Sequence, residues 1–195
     1  MASKTTLRRL EFHPVAPERW PDFEKLFGPR GAVAGCWCMW FRLKRSEFDE
    51  KKGAGTQRMM KKLVNAGDAP GILAYDGDEP VGWCSIAPRS EFDSLNRSRT
   101  LKPVDEQPVW SIVCFFIAKG YRRSGMTRKL IEAAVEYAKA QDAKIIEAYP
   151  IEPKKDDVPV FYAYTGFAST FRKLGFKEVL RRSESRPIMR LEIGR

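Results

Sequence analysis

The stretch Val109-Trp110-Ser111-Ile112-Val113-Cys114-Phe115-Phe116-Ile117-Ala118-Lys119-Gly120-Tyr121-Arg122-Arg123-Ser124-Gly125-Met126-Thr127-Arg128-Lys129-Leu130 decides how this chain folds. Its opening part, Val109 to Ile117, is apolar on both faces, as a central strand covered on both sides must be. A basic turn follows, and apolar residues then return at helical spacing. Met126, Leu130, Ala134 and Ala138 make one stripe, widened by Ile131 and Val135, to about Gln141. Lys144 to Tyr149 reads as the next strand. Strand, glycine turn, helix and strand in that order predict an α/β protein with a partly mixed central sheet flanked by helices.

Upstream, Thr6 to Phe12 reads as an opening strand, and Pro17 to Phe27 as a short helix stopped by Gly28-Pro29-Arg30-Gly31. Cys36-Trp37-Cys38-Met39-Trp40-Phe41 is unusually aromatic and has no clear period. Ser46 is placed to cap a helix starting near Glu47, which Gly53 and Gly55 weaken, and Gln57 to Asn65 recovers a helical face. A hairpin is expected from Gly71–Tyr75 and Val81–Ala87 around the turn signal Asp76-Gly77. Pro88 to Pro108 reads as a long polar connection. Downstream come a polar insertion over Pro150–Pro159, a short helix over Ala168–Leu174, and a closing antiparallel pair, Phe176–Leu180 with Pro187–Ile193. Residues 1–195 are expected to form a single domain.

Composition narrows the function. The longest apolar run is about half of a bilayer span, and residues 1–10 lack a secretory design, so the expectation is a cytoplasmic protein with no membrane partner. Cys36, Cys38, Cys84 and Cys114 do not fit zinc-finger spacing, and His13 is the only histidine, so no metal is expected. The net charge of +10 asks for an anionic partner, which nucleic acid, an anionic membrane or a polyphosphate cofactor would satisfy.

The location of the charge separates these. Lys119, Arg122, Arg123, Arg128 and Lys129 crowd around the point where a strand feeds a glycine turn and a helix. Free N–H groups and the macrodipole make such a helix start attractive to phosphate, and Gly125 lets an oxygen approach the backbone. Gly120 to Thr127 has P-loop spacing, but Met126 stands where the lysine is needed, and no Gly-x-Gly-x-x-Gly is present.

Ile117 to Leu130, with Arg122 and Gly125 at its matching positions, resembles the acetyl-CoA-binding motif of the GNAT-type N-acetyltransferase superfamily, Gln/Arg-x-x-Gly-x-Gly/Ala at a helix start. Thr127 replaces the usual small residue. Phe171-Arg172-Lys173-Leu174-Gly175-Phe176 resembles the same family's late helix followed by Gly-Phe. The resemblance implies a GNAT-like sheet splayed between the strands holding Phe115 and Ala148. Backbone groups of Phe115 and Ile117 would pair with the pantetheine arm, and the N–H groups of Arg122, Arg123, Ser124, Gly125, Met126 and Thr127 would wrap the pyrophosphate. Acetyl-CoA is then the cosubstrate, and a small-molecule or peptide amine the acceptor.

Transfer to an amine requires a base, because an alkylamine has a pKa of about 10.4. The family's late-helix Tyr, which protonates the leaving sulfur, is Phe171 here. Glu147 and Tyr149 alternate onto one strand face and are the candidate base and acid. Trp37, Trp40 and Arg42 are the candidate acceptor wall. A nucleic-acid-binding module would use Arg89, Arg97, Arg99 and Lys102 but leaves the strand into Gly125 unexplained, so nucleic acid is disfavoured. A GNAT-like protein that binds coenzyme A without catalysis also fits the missing Tyr. A homodimer is left open.

Overall fold

Among the described residues seven strands form one sheet: β1 (Leu10–Pro14), β2 (Gly71–Asp76), β3 (Glu79–Pro88), β4 (Trp110–Ile117), β5 (Ile145–Ala148), β6 (Lys177–Arg181) and β7 (Pro187–Glu192), in the order β1-β2-β3-β4-β5-β7-β6. The structure is a computed structural model and describes residues 10–153 and 160–194. The start of the expected first strand and most of the Pro150–Pro159 insertion lie outside the described residues. All strand pairs are antiparallel except β4 with β5. That parallel pair is joined by a helix crossover, as parallel neighbours require.

The helices are α1 (Trp20–Phe27), α2 (Arg45–Lys51), α3 (Ala54–Asn65), α4 (Asp93–Arg97), α5 (Met126–Ala140) and α6 (Ala168–Lys173). The crossover helix α5 buries the stripe read from the sequence: Met126, Leu130, Ile131, Ala134 and Ala138 pack with Ile112, Ile146, Phe115 and Phe171 on one face of the sheet. The opposite face carries two clusters. One joins Trp20, Phe23 and Phe27 to Trp37, Cys38 and Trp83. The other joins Phe41, Phe92, Leu95 and Leu101 to Val113 and Tyr149.

Three local expectations change. The helix expected from Ser46 begins at Arg45 without a side-chain cap, and breaks at Gly53 (φ +92°) into α2 and α3. Two weak helix formers close together thus end one helix and begin another. The 88–108 connection is not simply polar. It folds into a 3₁₀ turn (Arg89–Glu91) and α4, and buries Phe92, Leu95 and Leu101 against the sheet. Arg89, read as a nucleic-acid cation, lies inside the protein.

Candidate functional site

β4 is longer than the partner it meets in parallel. Pairing runs Trp110↔Ile146, Ser111↔Glu147 and Ile112↔Ala148, then stops, while β4 continues to Ile117. On its other edge β4 stays paired with β3, and the register steps from Ile86↔Ile112 to Ser85↔Cys114, so Val113 is an extra residue. Such a bulge re-aims the strand and frees backbone groups. The N–H of Ala118 donates to Val81 O, toward β3. By alternation the backbone groups of Phe115 and Ile117 point the other way, into the split. The carbonyl of Ile117 accepts from Arg122 Nε at 2.9 Å, which holds that guanidinium over the open edge.

The far wall of the split is the run after β5. Ile151 donates to Gly166 O and accepts from Ala168 N–H, while Glu152 N–H turns to Ser185 O. Gly166 in turn packs against the Phe115 and Phe171 rings. The split is therefore held open by packed backbone.

At its mouth β4 passes through a 3₁₀ turn (Lys119–Tyr121) into α5, whose N-cap is Gly125 at φ +85°. A Cβ built there meets nothing within 4 Å, so open space lies before the helix start. Gly125 offers no capping side chain, and the first-turn N–H groups carry the partial positive charge of a helix N-terminus. Ser124 Oγ donates to Tyr121 O (2.6 Å) and Tyr121 hydroxyl to Asp76 (3.0 Å), fixing the turn to β2. Buried Met126 pins the helix start from below, and Thr127 is half-buried. Arg128 and Lys129 share Glu132 at 2.9 and 3.2 Å, whereas Arg122 and Arg123 are exposed at the turn. Phosphate oxygens fit this cradle by charge, donors and space.

Glu147 and Tyr149 share a face, and they touch: the phenol donates to Glu147 Oε1 at 2.6 Å. Both are fully buried. The carboxylate also accepts from Arg89 Nη1 (2.9 Å) and Arg190 Nε (2.7 Å), and Arg190 holds Asp105 through both terminal nitrogens. Tyr149 further bonds Arg89 and Ser111, and Arg89 reaches Leu101 O at 2.7 Å. Burial first, then the Glu147 charge, pushes the Tyr149 hydroxyl well above its ordinary pKa. The network sits at the closed end of the split, beside the last β4–β5 rungs, and ties the 88–108 segment down. Arg89, Ser111 and Arg190 were not foreseen. The signal for Arg190 was its place in an otherwise inward strand.

The aromatic segment divides. Trp37 is core, stacked on Trp20 and Phe27 and tilted against Phe23, at 5.7–6.4 Å between ring centres. Gly31 lies against its indole so closely that a Cβ would come within 2.2 Å of Nε1. Trp40 is half-buried, edge-on to Phe48 and beneath the Arg45 guanidinium. Arg42 has a side chain only 6% exposed, bonds Glu91 at 3.2 Å, lies over Phe92, and has no partner for its buried Nε. Burial lowers its pKa. Phe171, at the position expected to hold a hydroxyl, is buried between Phe115 and Phe176. Two clefts of about 380 Å³ lie elsewhere, one under Arg89, Asp105 and Lys144, the other along α5. Among the described residues no group of three or more His, Cys, Asp or Glu is placed to hold a metal, and no helix is long and apolar enough to cross a membrane.

A sequence model described as the acetyltransferase (GNAT) family matches residues 37–167. Comparison with curated proteins finds no match. Among solved structures, the chain is similar to a PaiA N-acetyltransferase from Thermoplasma acidophilum in complex with coenzyme A, at 12% identity and a TM-score of 0.54, covering 95% of this chain and 100% of that one. It is also similar to a GNAT-family acetyltransferase from Listeria monocytogenes, at 8% identity and a TM-score of 0.57, covering 94% and 95%. A third is a putative GNAT-family acetyltransferase from Desulfovibrio desulfuricans, at 17% identity and a TM-score of 0.52, covering 94% and 99%. At these identities the likeness speaks for the fold.

Proposed function

Since the chain belongs to the acetyltransferase (GNAT) family, we propose that it transfers an acetyl group from coenzyme A to a primary amine, with both substrates bound together at the split between β4 and β5. One observation carries this reading: the freed edge of β4 runs directly into a helix start with open space before it. An extended arm that pairs with Phe115 and Ile117 would deliver a diphosphate to the N–H groups of Arg122 through Thr127. Arg122 and Arg123 supply the nearest countercharge.

The bulge at Val113 supports a backbone N–H near Phe115 as the donor to the oxygen that becomes anionic during attack. Direct attack requires a neutral amine beside the thioester, and positioning both in one gap supplies much of the acceleration. For Glu147 and Tyr149 two roles stand, proton transfer and anchoring. Their contacts favour anchoring, because each polar atom is already engaged inside the protein. Trp40 and Arg42 are the better supported acceptor contacts, and Trp37 supports them from the core. The acceptor class we infer is a small-molecule or peptide amine.

The test is thermal melting with and without acetyl-CoA, in the parent and in Gly125→Asp. Asp tolerates the left-handed backbone better than most residues and sets a negative charge before the helix. At 100 times its dissociation constant a ligand stabilises by about 2.7 kcal/mol, or roughly 5–11 °C for a domain of this size. A rise in the parent that is lost in the variant supports the reading, and no rise at millimolar ligand overturns it. Phe171 favours a second reading, coenzyme A binding without catalysis. Saturable binding with no acetylation across a broad amine panel would select it.

A further inference from the structure

One of the clefts of about 380 Å³ lies at the end of the sheet away from Gly125, where β3 ends at Pro88 and β4 begins at Trp110. Its volume is at the low end for ligand sites, so it suits a small molecule. Arg89 lines it. The Arg89 side chain is only 10% exposed, with Nη1 spent on Glu147 and Tyr149 and Nη2 on Leu101 O. Its Nε is buried and has no partner. In a planar guanidinium the Nε–H runs parallel to an Nη2–H. It is therefore aimed beside Leu101 O, along the run whose Pro103 lines the cleft. A buried N–H without an acceptor is costly, and an acceptor atom placed in the cleft would recover that cost.

A second departure lies in the turn between α5 and β5, which forms another wall of the cleft. Ala143 N–H donates to Ala138 O and Asp142 N–H to Lys139 O, both at 3.0 Å, which is a Schellman closure of α5. Asp142 holds its left-handed position, φ +58°, where glycine or asparagine is usual. Its carboxylate also stands at the negative end of the helix dipole, which repels it. A cation beside Asp142 relieves that repulsion. Asp142, Glu106 and Lys144 are exposed in the cleft wall and make no ion pair among the described residues. Half-buried Trp110 supplies the apolar part of the lining.

We propose that this cleft binds a small zwitterion, a free α-amino acid with an apolar side chain. Its carboxylate takes the Arg89 Nε–H and faces Lys144, its ammonium faces Asp142 and Glu106, and its side chain lies on Trp110. Neither charge alone suits the lining. A bare carboxylate meets two unpaired acids, and a bare amine leaves the Arg89 N–H unmet. Arg89 and Asp105, both in the cleft wall, converge on Glu147, Asp105 by way of Arg190. The bound amino acid therefore steadies the 88–108 connection and, through it, the closed end of the split. The site is separate from the coenzyme A turn and does not depend on the acetyl-transfer reading.

The experiment is calorimetric titration of the full chain, with no acetyl-CoA present, using free leucine, isocaproate (leucine without its ammonium) and isoamylamine (leucine without its carboxylate). The same titrations are run on Asp142→Asn and Lys144→Gln, with each protein melted in the absence of ligand. Leucine is expected to bind the parent saturably at millimolar concentration or below. Isocaproate and isoamylamine should each bind at least roughly tenfold more weakly, the loss of one charge-assisted contact. Asparagine suits the left-handed position and lifts the repulsion, so Asp142→Asn should melt at or above the parent. That variant and Lys144→Gln should nonetheless each bind leucine roughly tenfold more weakly. No saturable heat from leucine at millimolar concentration overturns the site. Binding of isocaproate or isoamylamine as tight as that of leucine overturns the zwitterion. Parent-like affinity in Asp142→Asn puts the amino acid elsewhere and overturns the cleft. None of these readouts involves acetyl transfer, so failure of the acetyl-CoA melting test leaves them unaffected.

Discussion

Replacing Glu147 with Gln separates the two roles open to that residue. The carboxylate is fully buried, and its oxygens take Arg89 at 2.9 Å, Arg190 at 2.7 Å and the Tyr149 hydroxyl at 2.6 Å. Both arginine side chains are only about one-tenth exposed. Gln keeps the shape but removes the charge and turns an N–H toward an arginine that also donates. Leaving buried charge without its partner costs about 3–5 kcal/mol. For 150–250 residues each kcal/mol moves Tm by about 2–4 °C, so Glu147→Gln should fall by roughly 6–20 °C at neutral pH. The assay is thermal unfolding by circular dichroism, paired with acetylation kinetics at a temperature where the variant stays folded. An anchor predicts the large Tm loss with kcat kept within about tenfold, whereas a general base predicts a kcat loss of roughly 10²–10⁴. A Tm change below about 2 °C refutes the buried-network reasoning. A kcat loss of 10²-fold or more in a variant of unchanged Tm would restore Glu147 as the base.

Trp37→Ala should cost about 3–5 kcal/mol in chemical denaturation, because the indole fills core, while Trp40→Ala should cost less and raise KM for the acceptor. Equal, small stability losses would show that both line the acceptor wall. Gly31→Ala should lower Tm by several degrees, since its Cβ would sit 2.2 Å from the Trp37 indole at a φ of +58°; an unchanged melt would show that the 31–38 loop yields freely. The Glu152 carboxyl is held down from 4.5 to about 2 by Arg172, then Arg181. A depressed acid stabilises above its unfolded value and loses that contribution as pH falls. Glu152→Gln should therefore melt below the parent above pH 4.5, with the gap closing toward pH 2. A gap independent of pH would contradict the pairing.

Much of the fold was legible because it is periodic. The α5 stripe, the Asp76-Gly77 hairpin and the doubly apolar β4 each follow from spacing alone. The 88–108 segment was less so: Phe92 and Leu95 stand at helical spacing, but charged neighbours hid them among polar residues. The turn at Gly125 was also readable, since strand, glycine and helix are consecutive in the chain. The opposite face was not. Arg89 meets Glu147 58 residues away, and Cys38 meets Trp83 45 residues away. Such partnerships are made by sheet register, and no local pattern encodes them. Alternation correctly put Glu147 and Tyr149 on one face, yet could not tell that the face was closed.

The missing hydroxyl at Phe171 weighs less than the missing base. At pH 7 an amine of pKa about 10.4 is neutral in only a small fraction, equivalent to about 4.6 kcal/mol. A leaving thiol of ordinary pKa about 8.5 departs as thiolate at a cost of only about 2 kcal/mol relative to its protonated form. For transfer to such an amine, proton removal from the acceptor is thus the larger demand. At the acid position the protein spends a fully buried Phe on packing. Loss of the late hydroxyl is the smaller of the two omissions for such a site. Restoring it as Phe171→Tyr should destabilise by about 1–3 kcal/mol, because no polar partner accompanies the ring, and should leave the acid limb of the rate profile in place. If that substitution instead raised kcat tenfold or more, departure of the thiol would be the limiting step and the demand on the acceptor face would be the minor one.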